Sequence, residues 1–254
     1  MGQALIAGLI ARGVRPRALL AADPSGAARA RLRALGVRTT QDNCHVACEA
    51  DIILLAVKPQ EMPPVLEGIA CCLTPRQLVI SIAAGITLRY LSARLPKSPI
   101  IRVMPNLPAT VRKGFTAYAG GRIATPRHRA AVHAIFGAVG EVVELPERLL
   151  DAVTAVRGSG PAYVFLLAQM WEEAAMVLGL PAGVAKRAVR QTLAGSVELL
   201  AGDRLTPREW IARVASKKGT TEAALRVLAT RHVDRHFTEA LRAAANRSRA
   251  LSRR

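Results

Sequence analysis

The sequence predicts an α/β protein in which a doubly wound parallel sheet is followed by an all-helical domain. Up to Leu145, short runs of Ile, Leu and Val without polar alternation are separated by helical patterns. Such runs are typical of parallel strands that are covered on both faces. From Leu149 onward, every long segment has a helical pattern instead. Apolar residues make up 51% of the chain, which is enough for a sizeable core.

The first domain is predicted to alternate strands with helices, the first of which is Gly26–Leu35. This alternation places helices on both faces of the sheet. The predicted strands are Ala18–Ala22, Asp51–Val57 (fully buried), Leu78–Ala83, Ile100–Met104 and, as outer strands, Phe115–Ala119 and Val142–Leu145.

The second domain is predicted to contain helices only. Pro and Gly mark the helix ends, as at Gly179–Pro181 and Gly202–Pro207. The break between the halves falls around Pro146–Ala155, so we divide the chain into residues 1–148 and 149–254. The predicted helices are Pro161–Leu178, Gly183–Ala201, Pro207–Ala215, Thr221–Ala229 and Arg235–Ser252.

A formal net charge of +18 is a feature of many proteins that bind nucleic acid. The arginines are nevertheless scattered through the predicted helices, and Ser248–Arg254 is the only terminal basic cluster. Aromatic residues, which stack on bases, amount to only 4%. We therefore expect no nucleic-acid partner and interpret the charge as solvated, with a field that attracts anionic ligands.

No membrane partner is expected either. The apolar stretch Val164–Leu180 carries Glu172 and Glu173 in its middle, and burying both carboxylates in hydrocarbon would be costly. The stretch Ala4–Arg12 lacks the basic segment and the cleavage site of a secretion signal. These features predict a cytoplasmic protein.

The four cysteines are predicted to be reduced thiols. Cys71 and Cys72 are adjacent and cannot close an ordinary unstrained bridge, and Cys44-His45-x-x-Cys48 lacks a second ligand pair at zinc spacing. His232 and His236 lie one helical turn apart, but no third ligand is evident. No metal site is predicted.

The N-terminus matches the end of a Rossmann-type dinucleotide fingerprint, which runs from a strand through Gly-x-Gly-x-x-Gly into a helix. Gly2 is either the third glycine of that fingerprint or part of an ordinary start. Asp23 follows the first predicted strand, where an acidic residue meets the adenosine ribose of NADH. Ser25 and the nearby arginines suit the 2′-phosphate of NADPH instead, so the preference stays open.

Three predicted strands end in residues that suit a ligand, and ligands of open α/β sheets bind at the carboxyl ends of strands. Lys58, within Ala56–Gln60, is either a cofactor or substrate contact or a solvated loop lysine. Ser81–Gly85 is small enough for a flat ring to approach the backbone. Arg102–Asn106 ends the third strand.

Two segments of the second half can bind an anion at a helix N-terminus. Gly158–Tyr163 enters a long helix, with helix capping by Ser159 as the alternative. In Ser216–Thr221, Gly219 lets the backbone fold tightly and two lysines add positive charge. A threonine hydroxyl there can bond an imine nitrogen or its product amine. The alternative is simple N-capping by Thr220 or Thr221.

Taken in order, these motifs resemble pyrroline-5-carboxylate reductase, from Met1 nearly to the C-terminus. The resemblance implies reduction of 1-pyrroline-5-carboxylate to L-proline, the last step of proline biosynthesis, with NADPH or alternatively NADH. It also implies an all-helical dimerisation domain, a homodimer, and assembly of dimers into larger rings. The segments that carry it are Val57–Gln60, Ser81–Gly85, Arg102–Pro108, Gly158–Tyr163, Ser216–Thr221 and Ala244–Ser248.

The resemblance implies roles for individual residues. Thr221 matches the family's threonine beside the imine nitrogen, and Thr221 and Lys58 are the residues we assign to catalysis. The substrate carboxylate is expected at Ser216, Gly219, Thr220 and Thr221. The expected cofactor contacts are Gly2, Asp23, Ser25, Asn43, Val57, Lys58, Pro59, Ala84, Gly85 and Asn106.

Three features depart from the family pattern. The strand and first glycines of the fingerprint are missing ahead of Gly2; losing this central strand would expose a core face, and we expect a true start upstream of Met1. Lys218 replaces a glycine, and a positive φ there would cost on the order of 1 kcal/mol. Arg157 occupies a position where a small residue is common, so it would crowd or charge the pocket.

Two alternative functions stay open. The missing fingerprint is compatible with a catalytically impaired homologue that acts only as a dimeric scaffold. A related imine or β-hydroxyacid reductase with another carboxylate substrate is the second alternative, against which Gly219-Thr220-Thr221 argues.

Overall fold

The computed structural model describes residues 1–202 and 204–252 and divides the chain into two compact units. The first unit comprises Met1–Gly158 together with the residues from Ala244, and the second is Ser159–Ala243. This division by compactness falls at Gly158, whereas the prediction divides the chain after residue 148, and it assigns the C-terminal segment to the first unit. Leu150 belongs with the first unit by packing, because it is fully buried in a cluster with Ala117 and Ala119 of the sheet.

The described residues form seven strands in two sheets. The smaller sheet pairs β1 with β2, and the larger has the order β3-β4-β5-β6-β7. All paired neighbours are parallel except β5 and β6. The strands are β1 Leu20–Ala22, β2 Arg38–Thr40, β3 Ile52–Leu55, β4 Leu78–Ser81, β5 Ile100–Met104, β6 Gly114–Gly120 and β7 Gly140–Glu144.

The larger sheet is mainly parallel, as predicted, with β6 as the exception. Residues 105–113 join β5 to β6, and a parallel crossover needs about a dozen residues or more, so this short connection returns the chain antiparallel. The strand β2 was not predicted, because its sequence Arg38-Thr39-Thr40 carries no apolar run.

The described helices cover both faces of the larger sheet, as predicted. On one face α4 and α5 pack through Met62, Leu66 and Leu91, and on the other α1 and α6 pack through Leu5 and Phe136. The helices of the first unit are α1 Gly2–Ala11, α2 Gly26–Ala34, α3 Asn43–Glu49, α4 Met62–Ala70, α5 Leu88–Arg94, α6 Pro126–Phe136 and α7 Leu150–Val153.

Burial differs among the strands of the larger sheet. Every residue of β4 and β5 is buried, whereas Ile52 of β3 is 38% exposed. The prediction that β3 is fully buried is therefore wrong at its first residue. The reason is that β3 is an edge strand, separate from the β1–β2 sheet.

The second unit is all-helical, as predicted. Its helices are α8 Gly160–Val177, α9 Ala182–Ala201, α10 Pro207–Val214, α11 Thr220–Thr230 and the first half of α12, Val233–Ser252. Thr206 and Glu209 form a capping box at the start of α10, which explains why α10 begins there. Over the described ranges, no helix has the length and apolar character that a membrane crossing requires.

A disulfide joins Cys44 to Cys72, with 6.0 Å between their Cα atoms. The prediction of four reduced thiols is therefore wrong for these two cysteines, while Cys48 and Cys71 are free and exposed. Spacing along the chain does not reveal the bridge, because it depends on the first turn of α3 lying beside the end of α4.

Candidate active site

The strand ends that were predicted to bind a ligand lie at one edge of the larger sheet. Because β3, β4 and β5 are adjacent and parallel, the residues that follow them share this edge. Ligands of open α/β sheets bind at such an edge. The residues concerned are Ala56–Pro59 after β3, Ile82–Gly85 after β4, and Pro105 with Asn106 after β5.

Gly2 is the first residue of α1 and packs closely against the end of β3. A Cβ added at Gly2 would lie 3.4 Å from the Cβ of Ala56. Met1 occupies the N-cap position and makes no side-chain hydrogen bond to the helix. The first N–H groups of an α-helix have no partner inside the helix, so the start of α1 can bind a phosphate beside the end of β3.

Asp23 and Ser25 form a local turn after β1. Asp23 Oδ1 accepts a hydrogen bond from the Ser25 amide at 2.8 Å, and Ser25 Oγ accepts one from the Ala28 amide at 3.3 Å. Arg29 donates to the Asp23 carbonyl oxygen at 2.6 Å. Ser25 is therefore the N-cap of α2, and a positive guanidinium lies beside the proposed adenosine position.

Asn43 and Lys58 are both exposed at the starts of short helical segments. Asn43 begins α3, next to the capping residue Asp42. Lys58 precedes the 3₁₀-helix Pro59–Glu61 and makes no ion pair within the described chain. The ammonium of Lys58 is thus available to an anionic ligand.

Gly85 has a left-handed backbone with φ of +79°, which favours glycine. A Cβ there would lie 3.0 Å from the carbonyl oxygen of Leu251 in α12. On the side where a Cβ would point, Gly85 is therefore packed against the backbone of α12. Ala84 next to it is exposed.

Asn106 is 8% exposed, and both ends of its amide are hydrogen-bonded. Its Nδ2 donates to the carbonyl oxygen of Arg157 at 3.1 Å, and its Oδ1 accepts from the Phe115 amide at 3.0 Å. The side chain therefore holds three segments together at the end of β5. Any contact of Asn106 with a cofactor comes in addition to this role.

Arg102, earlier in the same motif, has a structural partner. It is 2% exposed, and its guanidinium contacts Glu147 Oε1 at 2.9 Å. Glu147 Oε1 also accepts a hydrogen bond from the Leu88 amide at 2.8 Å. Arg102 thus ties β5 to the segment before α7.

Arg157 is a buried cation in the π-helical segment Thr154–Gly158. It is 9% exposed, and none of its guanidinium nitrogens has a hydrogen-bond partner among the described residues. Burial lowers the pKa of the guanidinium to about 10. The sequence marked Arg157 as unusual, but only the structure shows that its charge is desolvated.

The loop Ser216–Thr221 leads into α11 without a side-chain cap. The N-cap residue is Gly219, and Thr220 is already the first residue of the helix. Capping by Thr220 or Thr221, the simpler alternative, is therefore wrong. The first N–H groups of α11 have no partner inside the helix and can bind a carboxylate.

Gly219 and Lys218 determine the backbone of this loop. A Cβ at Gly219 would lie 2.3 Å from Ser216 Oγ and 3.0 Å from the Ser216 carbonyl oxygen, so only glycine fits. Lys218 has φ of +58°, which confirms that this position requires the left-handed region, and its amide donates to the Glu222 carboxylate. Thr221 is half-buried, and its hydroxyl has no partner among the described residues.

The helix α8 also begins without the expected cap. Ser159 is at the N-cap position but makes no side-chain hydrogen bond to the helix.

As for metal ligands, His232 and His236 belong to no group of three possible ligands within residues 1–202 and 204–252. The sulfur atoms of Cys44, Cys71 and Cys72, which the prediction treated as unrelated, lie within 4.8 Å of one another.

A sheet that presents a helix N-terminus and three ligand-suited strand ends, joined to an all-helical unit, defines a nicotinamide-type oxidoreductase with a Rossmann-type first domain. Two family models match the chain accordingly. The model for NADP oxidoreductase, coenzyme F420-dependent, matches residues 1–85, and the model for pyrroline-5-carboxylate reductase dimerisation matches residues 147–251.

Curated relatives match over the full chain. A pyrroline-5-carboxylate reductase of Synechocystis is 41% identical and covers 100% of this chain and 96% of its own length. One from Pseudomonas aeruginosa is 38% identical, over 99% of this chain and 93% of its own. The chain belongs to the pyrroline-5-carboxylate reductase family.

Solved structures agree with this assignment. A pyrroline-5-carboxylate reductase from Coxiella burnetii superposes with a TM-score of 0.93 at 35% identity, covering 99% of this chain and 94% of that one. The Plasmodium falciparum enzyme with NADP bound has a TM-score of 0.89 at 28% identity, with the same coverage.

Proposed function

We propose that this protein reduces 1-pyrroline-5-carboxylate to L-proline with a nicotinamide cofactor, as the last step of proline biosynthesis. Membership of the family supports the reaction. The observation that carries the proposal in this chain is the uncapped first turn of α11, preceded by a glycine that has no room for a side chain. This turn offers a carboxylate several adjacent N–H donors that point the same way, together with the positive end of the helix dipole.

The residues of the first unit fit a dinucleotide. The uncapped N-terminus of α1 suits the pyrophosphate, and the shared edge after β3, β4 and β5 suits the nucleoside halves. When bound, the nicotinamide would supply hydride to the carbon of the C=N bond. The residues proposed to hold the cofactor are Gly2, Asp23, Ser25, Asn43, Val57, Lys58, Pro59, Ala84, Gly85 and Asn106.

Substrate binding is proposed at the loop before α11. The amides near Gly219, Thr220 and Thr221 would hold the carboxylate, with Ser216 donating from the other side of the loop. The charges of Lys217 and Lys218 add to the positive potential of the helix N-terminus. A carboxylate fixed there orients the ring to which it is attached, and orientation is a large part of what a protein adds to cofactor chemistry.

Thr221 and Lys58 are the proposed catalytic residues. The half-buried hydroxyl of Thr221 can donate to the imine nitrogen and accept from the amine that forms there. Protonation of that nitrogen makes the neighbouring carbon electrophilic, so a hydroxyl that orients it favours reduction. Lys58 would contribute the positive charge of an unpaired ammonium at the sheet edge.

NADPH is the proposed cofactor, with NADH as the alternative. Arg29 lies beside Asp23 and can attract a 2′-phosphate, and the similar Plasmodium structure contains NADP. The carboxylate of Asp23 already accepts the Ser25 amide, which reduces its capacity to bind a ribose hydroxyl. Comparison of kcat/KM for the two cofactors tests the preference, and a higher value for NADH would reverse it.

The second unit is proposed to form a homodimer. Its helices expose large apolar side chains, including Phe165, Val177 and Leu178, of which the last two are more than 80% exposed. Contiguous exposed apolar surface is unusual on a monomer and marks an interface. Sedimentation analysis tests the dimer and the further proposal of larger rings. A cytoplasmic location is proposed with the enzymatic role and is tested by cell fractionation.

The activity is tested by following NADPH and NADH oxidation by the purified chain with and without pyrroline-5-carboxylate. We expect substrate-dependent oxidation with proline as the product identified by mass spectrometry. A folded dimer that binds NADP⁺ but gives no turnover would contradict the enzymatic proposal and favour the scaffold alternative. A higher kcat/KM for another cyclic imine or a β-hydroxyacid would favour the related reductase.

A further inference from the structure

Three sulfur atoms form a compact group at the junction of α3 and α4, and Cys44 directly follows Asn43 of the proposed cofactor site. The sulfurs of Cys44, Cys71 and Cys72 all lie within 4.8 Å of one another. Cys44 and Cys72 form the disulfide, and Cys71 Sγ lies 3.8 Å from Cys72 Sγ. Such proximity places a free thiol next to an existing bridge.

The three cysteines differ in their access to solvent. Cys71 is exposed, whereas Cys44 and Cys72 are half-buried. Thiol–disulfide exchange requires access to the attacking sulfur, so Cys71 is the member of the group that can meet a reagent from solution. Cys48 is also exposed but does not belong to the group, which makes it a matched control.

We propose that Cys44, Cys71 and Cys72 form a thiol–disulfide exchange site in which Cys71 reacts with small disulfides and passes the bond to the Cys44–Cys72 pair. The ligand class is a low-molecular-weight disulfide such as oxidised glutathione. Neither the family assignment nor the proposed reduction of an imine requires this site, so the inference does not depend on the proposed function.

Formation of the bridge from three thiols proceeds in balanced steps. The Cys71 thiolate attacks a small disulfide, forming a mixed disulfide and releasing one small thiol. The Cys44 thiolate then attacks the Cys71 sulfur, forming Cys44–Cys71 and releasing the second small thiol. Overall the two protein thiols lose two electrons and two protons, and the small disulfide gains both.

Internal exchange then moves the bridge to its observed position. The Cys72 thiolate attacks the sulfur of Cys44, the Cys44–Cys72 bond forms, and the Cys44–Cys71 bond breaks. The proton lost by Cys72 is taken up by Cys71, and no net oxidation occurs. Attack between Cys71 and Cys72 themselves is excluded, because adjacent cysteines cannot close an unstrained bridge.

The exchange site is tested on the full chain by reducing it, adding oxidised glutathione, trapping free thiols with an alkylating agent at intervals, and analysing peptides by mass spectrometry. We expect one intramolecular bridge in the natural protein. Cys71→Ser should form the Cys44–Cys72 bridge at least ten-fold more slowly, and Cys72→Ser should still form a Cys44–Cys71 bridge. Cys48→Ser should behave like the natural protein.

Three results would overturn the proposal. An unchanged rate in Cys71→Ser would show that Cys71 is not the entry thiol, and absence of a bridge in Cys72→Ser would show that exchange within the group does not occur. Circular dichroism of each reduced variant verifies folding before the rates are compared. If stoichiometric Zn²⁺ blocks alkylation of all three thiols and withstands a chelator, the group is a metal site instead, which also overturns it.

Discussion

Asn106 Nδ2 donates a hydrogen bond to the carbonyl oxygen of Arg157 at 3.1 Å, and this bond ties the end of β5 to the π-helical segment. Through Oδ1 the same side chain accepts the amide of Phe115, so the loop after β5, the start of β6 and the π-helical segment are held by one amide. Isolated π-helical turns occur frequently at functional sites. Asn106 therefore determines the shape of the candidate cofactor edge beside β5.

Removal of this amide should destabilise the protein. In Asn106→Ala, the Phe115 amide and the Arg157 carbonyl lose their buried partner, and each unsatisfied group costs about 1–3 kcal/mol. Urea unfolding should therefore show a loss of roughly 2–4 kcal/mol. Asn246→Ala, at an exposed asparagine, is the control and should change stability by less than about 0.5 kcal/mol. Equal effects of the two substitutions would contradict the conclusion that the Asn106 amide holds these segments together.

Arg157→Met should stabilise the protein. The guanidinium is buried without a hydrogen-bond partner in the described chain and lies over the Phe115 ring, 5.8 Å from its centroid. Replacing a buried charge by an apolar group of similar length removes its desolvation cost. The pKa of about 10, compared with the ordinary value of 12.5, corresponds to a cost of about 3 kcal/mol below pH 10. Arg148→Met, at an exposed arginine, should be neutral in the same unfolding assay.

The difference in stability between Arg157→Met and the natural protein should change with pH in one direction. The folded pKa of Arg157 lies below its unfolded value, so burial of the cation costs stability at neutral pH. Above about pH 10 the folded form can lose the proton, and the difference between Arg157→Met and the natural protein should narrow. If Arg157→Met is instead less stable at pH 7, then a partner, such as a bound anion, must satisfy the guanidinium.

Thr221→Ala should reduce turnover without unfolding the protein. The hydroxyl has no partner in the described structure, so its loss leaves no protein group unsatisfied. A hydrogen bond that a protonated imine nitrogen donates to the hydroxyl oxygen is worth about 1.5–3 kcal/mol, so kcat/KM should fall about 10- to 100-fold. Thr192→Ala on α9 is the control. If Thr221→Ala has the same kinetics as the natural protein, Thr221 has no role in the mechanism.

Lys218→Gly should raise stability. Lys218 has φ of +58°, where an L side chain is strained by about 1–2 kcal/mol, and glycine relieves the strain while adding some unfolded-state entropy. The net gain should be about 0.5–1 kcal/mol by thermal or urea unfolding. Lys217→Gly, which also removes one charge but no positive φ, should give a small loss. A loss of stability in both variants would contradict the strain at Lys218.

The Cys44–Cys72 bridge should contribute to stability under oxidising conditions. It closes a loop with a sequence separation of 28, and constraint of the unfolded chain predicts about 3–4 kcal/mol. We expect Cys44→Ser to lose this amount while Cys48→Ser loses little. In the presence of a strong reductant, the difference in stability between the natural protein and Cys44→Ser should largely disappear. If the full difference persists, the bridge is not the cause of the lower stability of Cys44→Ser.

The sequence by itself determined the strands other than β2, and the helices of the second half in their order. Local periodicity placed β5 at Ile100–Met104 without error and the helices α8 to α11 within a residue or two. It could do so because the pattern of apolar and polar residues along a segment reflects whether one or both of its faces are buried. It also identified Lys218 as a residue in a glycine position, since the loop motif is local. The order of the motifs was sufficient to identify the family.

The tertiary structure decided what depends on distant residues. The antiparallel β6, the approach of Leu251 to Gly85, the return of the C-terminal segment to the first unit and the Cys44–Cys72 bridge all join positions that no local pattern connects. The same holds for Arg157, whose charge was visible in the sequence but whose burial without a hydrogen-bond partner was not. Local sequence encodes the conformation of a segment, whereas burial and pairing depend on what other segments bring into contact with it.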